Sequence, residues 1–127
     1  MFAFNRTGLE SVVFPASLRK ISDCAFVGCR CLKRVKFSEG LEVLGTDEYP
    51  DSGSFLPGAF ERCALEHVEL PSTLKRIEYS VFKWCKSLRS IDLPEQFEYI
   101  GEECFYGSAL ETIRFPPSLK TVGKDAF

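Results

Sequence analysis

The chain has 127 residues, one domain's worth, and 16 Lys and Arg stand against 18 Asp and Glu for a net charge of −2. That balance excludes a strongly basic nucleic-acid binder and an acidic disordered tail, and one His leaves most metal sites and nucleophilic triads without raw material. Hydrophobic residues at 45% and charged residues at 27% suit a folded chain, and no stretch reaches the roughly 18 apolar residues of a membrane-spanning helix.

Along the chain one pattern returns. Ala-Phe or a close variant falls at Ala3-Phe4, Ala25-Phe26, Ala59-Phe60, Val81-Phe82, Cys104-Phe105 and Ala126-Phe127, with Phe-to-Phe spacings of 22, 34, 22, 23 and 22. The long spacing holds a 12-residue insertion, Thr46 to Pro57. Between the Phe marks lies a common apolar frame: Leu9, Val12, Phe14, Leu18, Ile21 in the first unit, and its equivalents from Leu32, Leu65, Leu88 and Leu110 onward. The unit reads L-x-x-V/I-x-L/F-P-x-x-L-x-x-I/V/L-x-x-x-A-F-x-x-C. Such a period marks a solenoid.

Each part of the unit has a physical meaning. Two apolar positions separated by one residue, as Val35 and Phe37, have the period of a strand with one face buried. Pro15, Pro71, Pro94 and Pro116 lack the donor a ladder needs and stop that strand. A second short extended segment follows, and Gly45, Gly101 and Gly123 end three of them where positive φ is expected. The A-F-x-x-C part is too short for an α-helix and is expected to form a single helical or 3₁₀ turn.

Charge supports direct stacking. Glu10, Lys33, Glu66, Arg89 and Glu111 share one repeat position, and Arg19, Glu42, Lys75, Glu98 and Lys120 share another. Both columns alternate in sign without exception. In-register parallel strands would set such positions about 4.8 Å apart, where like charges repel and opposite ones attract.

These residues resemble the BspA-like, or Treponema pallidum-type, leucine-rich repeat, whose units read L-x-x-I-x-I/L-P-x-S/T-L/V-x-x-I-G-x-x-A-F-x-x-C. Leu88 to Pro94 and Pro116 to Phe127 follow it closely, while Ser38 replaces Pro, and Thr7 and Ser108 replace Cys. The resemblance implies a mostly β solenoid within the α/β class: a coil stack with a parallel sheet, short 3₁₀ or helical turns and about five 22–23-residue repeats. The units are expected at 9–31, 32–64 with the insertion at 46–57, 65–87, 88–109 and 110–127, with 1–8 ending a preceding partial repeat. It also implies a non-catalytic binding module of the surface-antigen or adhesin type, with a protein or cell-surface ligand and no cofactor, metal or nucleic acid. An intracellular scaffold, or a truncated fragment without independent function, is the alternative. Met1 to Arg6 carries no basic start followed by an apolar run, so either the protein stays inside the cell or a longer parent chain carries the signal.

Outward strand positions give the candidate partner surface. One column is Ser11, Arg34, His67, Ser90 and Thr112, and the other is Val13, Lys36, Glu69, Asp92 and Arg114. The like-charged neighbours Glu69 and Asp92 need Lys36 and Arg114 on either side. Tyr49 and Phe55, apolar tips of the insertion, complete the candidate set, since insertions in solenoids often serve binding. His67 has no nucleophile motif beside it, so no enzyme is expected. Cys29, Cys63 and Cys85, with Thr7 and Ser108, form a column of small donors suited to buried turn carbonyls. The six Cys make no C-x-x-C pair, so zinc is not expected. Neither end shows a polar capping unit, which leaves end-to-end self-association open.

Overall fold

The structure, a computed structural model, describes residues 4, 7–46 and 56–127. Seven short strands alternate between two parallel sheets. They are β1 (Ser11–Phe14), β2 (Arg34–Phe37), β3 (Val43–Leu44), β4 (His67–Glu69), β5 (Arg76–Ile77), β6 (Tyr99–Ile100) and β7 (Thr121–Val122). The first sheet runs β1-β2-β4 and the second β3-β5-β6-β7. Equivalent positions face one another: Val12, Val35 and Val68 align across the first sheet, and Leu44, Ile77, Ile100 and Val122 across the second.

The first sheet is narrower than the repeat predicts. Ser90 and Thr112 meet only in an isolated parallel bridge. β1 ends at Phe14, just before Pro15. β2 ends where Ser38 stands in place of Pro, and both the N–H and the hydroxyl of Ser38 donate to the Phe14 carbonyl, at 3.2 and 2.6 Å.

The Ala-Phe side keeps single turns, in which the N–H groups of Cys29, Cys63 and Cys85 donate to the carbonyls of Phe26, Phe60 and Phe82 at 3.1–3.2 Å, and no helix occurs among the described residues. Two residues before the Phe, Cys24, Ser80, Glu103 and Asp125 have positive φ; two after it, so do Gly28, Arg62, Trp84 and Gly107. Left-handed residues at these places break any right-handed run. They aim alternate N–H groups at the next winding. The N–H groups of Phe26, Phe60, Phe82 and Phe105 donate to the carbonyls of Ala59, Val81, Cys104 and Ala126 at 2.7–3.0 Å. A third inter-winding ladder thus runs beside these single turns.

The Phe excess fills the interior beside that ladder. Phe4, Phe26, Phe60, Phe82, Phe105 and Phe127 stack face to face with successive centroid distances of 4.9, 5.1, 5.8, 5.6 and 5.6 Å. Leu32, Leu65 and Leu88 back the first sheet, and Leu44, Ile77 and Ile100 the second, all fully buried. Of the three glycines expected to need positive φ, only Gly45 has it, at 94°. Gly101 is required for closeness instead, because a Cβ there would lie 2.4 Å from the Glu78 carbonyl carbon.

Candidate functional site

The outward face of the first sheet holds the predicted columns together. Ser11, Arg34 and His67 are aligned partners, as are Val13, Lys36 and Glu69. All six side chains are exposed, because the strand period that buries Val35 and Phe37 turns their neighbours to solvent. With Ser90 and Asp92 they line a shallow hollow of about 520 Å³. Lys36 Nζ lies 3.4 Å from Glu69 Oε1. The other expected neutralisation does not form: Arg114 pairs with Glu95 at 3.1 Å, one segment away. Asp92 makes no ion pair among the described residues, so the hollow has a basic side at Arg34 and an acidic rim at Asp92. Thr112 is exposed and joined to Ser90. Tyr49 and Phe55 lie outside the described residues.

The charge columns are in place as backbone neighbours. The Lys33 N–H reaches the Glu10 carbonyl at 2.8 Å, and the Glu66 N–H reaches the Lys33 carbonyl at 2.8 Å. In the second column Lys75 pairs with Glu42 at 3.4 Å and Lys120 with Glu98 at 3.2 Å.

The three cysteines of the donor column act as expected, whereas the buried Thr7 hydroxyl has no hydrogen-bond partner among the described residues. The thiols of Cys29, Cys63 and Cys85 donate to the carbonyls of Phe4, Phe26 and Phe60 at 2.9, 3.0 and 3.2 Å. All six cysteines are free thiols, and only Cys31 is exposed. Burial pushes the Cys85 thiol up to about 12, the Cys63 thiol higher, and the Cys104 thiol well above its ordinary value, which makes them inert as nucleophiles. Among the described residues no group of three or more His, Cys, Asp or Glu side chains could hold a metal ion. Among the described residues no helix is long and apolar enough to cross a membrane.

Two features escape the sequence reading. Asp23 packs near the chain entering and leaving the insertion: the Thr46 N–H donates to its carboxyl, and burial raises that carboxyl to about 6. Arg30, Arg62, Trp84 and Lys86 gather around a second hollow on the turn side. Its signal was the single Trp, placed where two other units have Gly.

Stacked parallel windings with Phe and Leu columns define a leucine-rich-repeat solenoid. Residues 1–127 match the BspA type Leucine rich repeat region in six copies, and the chain belongs to that family. Its architecture is similar to that of the leucine-rich repeat protein of T. pallidum, with TM-score 0.80 and 27% identity over 96% of this chain and 56% of that one. A leucine-rich repeat protein from Bacteroides ovatus ATCC 8483 aligns with TM-score 0.50 and 26% identity, over 94% of this chain and 46% of that one. The chain therefore spans about half the length of these two solved structures. No protein of curated function matches it. The family is one of protein-interaction modules and is typically non-catalytic.

Proposed function

We propose that this chain is a protein-binding module of the surface-antigen or adhesin type, acting through the outward face of the first sheet. The observation that carries this reading is the hollow of about 520 Å³ lined by Arg34, Lys36, His67, Glu69 and Asp92. None of these side chains contributes to the core, and solenoids commonly bind partners on such sheet faces. Basic and acidic groups side by side suit a protein surface of mixed charge, which electrostatic complementarity would steer into register.

The test is binding of the chain to a panel of purified matrix and cell-surface proteins. Three proteins are compared: the parent, a Lys36→Glu/Asp92→Lys variant, and a variant lacking the insertion 46–57. Loss of binding with the sheet variant alone supports the reading. If neither change weakens any bound partner, or only the deletion does, the sheet face is not the binding surface.

A further inference from the structure

We propose that the hollow on the turn side, built around Trp84, binds a sulfated glycan chain. Four observations lead there.

The hollow has a volume of about 560 Å³ and is lined by Arg30, Arg62, Trp84, Lys86 and Ser87 among others, with no carboxylate in its wall. Arg30 and Lys86 make no ion pair among the described residues. Arg62 has one partner, Glu61 at 3.7 Å, but its side chain stays 68% exposed. Glu61 is itself turned inward, accepting the Gly58 N–H at 3.3 Å. The wall is therefore cationic on a chain whose net charge is −2.

The cations follow the solenoid axis. The N–H of Gly28 donates to the Glu61 carbonyl, and that of Arg62 to the Lys83 carbonyl, both at 2.9 Å. Arg30 and Lys86 thus share one repeat position two windings apart, about 10 Å, with Ala64 between them, and Arg62 stands on the middle winding at the position of Gly28 and Trp84. That arrangement suits a linear ligand with charge repeated along its length.

The floor is a fixed flat surface. Tyr106 packs edge-on against Trp84 with centroids 5.2 Å apart and planes at 88°. Gly107 makes room for the indole, since a Cβ there would lie 2.2 Å from the ring. Lys86 Nζ stands 5.8 Å from the indole centroid. A held indole accepts the C–H face of a sugar ring without loss of side-chain freedom.

The backbone here is already used. The N–H of Trp84 donates to the Tyr106 carbonyl at 2.8 Å, and that of Arg62 is spent on Lys83. An extended acidic peptide could add no strand, so it would forgo the main-chain bonds that give such binding its affinity. A single-stranded nucleic acid wants successive aromatic platforms along the groove, and one indole provides a single step. Charge plus one flat apolar face is the recognition set of a sulfated sugar.

The experiment titrates a size-defined heparin oligosaccharide into the chain at low salt. It follows the fluorescence of Trp84, the one Trp in the sequence. Binding should change Trp84 emission and weaken with salt. The Arg30→Gln/Lys86→Gln variant should bind roughly tenfold or more weakly, as expected for losing two charge-assisted contacts. Its log affinity against log salt should flatten by about two units of slope. A Lys33→Gln/Lys36→Gln variant, which removes the same charge from the sheet face, should bind within about twofold of the parent. Any of four results overturns the proposal: no binding, equal loss in both double variants, equal binding of the same oligosaccharide stripped of sulfate, or equally tight binding of an oligoglutamate or oligothymidylate of matched charge. All substitutions are at exposed positions, so unchanged thermal midpoints would show that the variants are folded.

Discussion

Cys29, Cys63 and Cys85 each hand a thiol hydrogen to a carbonyl one winding earlier, closing a column of buried acceptors. A residue of similar size without a donor removes that bond and leaves the Phe26 carbonyl with the Cys29 N–H alone, at 3.1 Å. Cys63→Val should therefore destabilise the protein by about 0.5–1.5 kcal/mol, while Cys63→Ser, which keeps a donor, should lose less. Urea unfolding of the two variants beside the parent measures the difference. Asp23 is the opposite case, a carboxyl whose burial raises it from 3.8 to about 6, with one oxygen buried and unpartnered among the described residues. A carboxyl that holds its proton more tightly when folded stabilises the fold at low pH. That contribution is complete below about 4 and is lost as pH rises through about 6. Asp23→Asn should thus be more stable than the parent at pH 7, by on the order of 1 kcal/mol once solvent screening of this half-exposed group is allowed for, and the gap should close near pH 4. Stability curves of both proteins from pH 3.5 to 7.5 would show a constant gap if burial were not the cause.

Each strand is only two to four residues long and no strand could stand alone. What holds an element is the winding above and below it. Val12, Val35 and Val68 were legible as an inward column because an alternating apolar pattern can bury only one face. On the turn side the turn was legible but the ladder between windings was not. The reading of a turn rested on length alone, and the left-handed residues that decide the ladder include Arg62, Ser80 and Trp84, types that do not announce positive φ. Only the pull of the inter-winding ladder holds them there. Gly101 shows a related limit: the sequence marks a special position, and the reason is contact with the neighbouring backbone rather than its own dihedral. Gly101→Ala should destabilise by about 2 kcal/mol or more, because a methyl group would displace the Glu78 backbone. A midpoint of urea unfolding equal to the parent's would show that the windings can part at no cost.

Across the whole molecule the alternating charges run as two lines along the stack. In the second line Glu98 lies between Lys75 and Lys120, bonded through the backbone to both and paired with Lys120. Glu98→Lys would put three cations in a row. The expected loss is ~0.5–1.5 kcal/mol at low salt, shrinking as salt screens the column. Denaturation at about 20 mM and 500 mM salt separates this from a packing effect, which salt would leave unchanged. Mixed charge on the sheet face and cations with an indole on the turn side give the solenoid two different surfaces, suited to different ligand chemistries.

The sequence by itself determined the period, the in-register stacking, the inward columns and the sheet face bearing Arg34, Lys36, His67 and Glu69. These follow from apolar spacing and alternating charge, which are one-dimensional. The tertiary structure alone decided that Arg114 turns to Glu95 rather than Asp92, that the turn side carries a ladder of hydrogen bonds between windings, and that Arg30, Arg62, Trp84 and Lys86 share one hollow. Those outcomes depend on where a side chain from one winding meets the next, a distance set by hydrogen bonds between residues more than 20 positions apart.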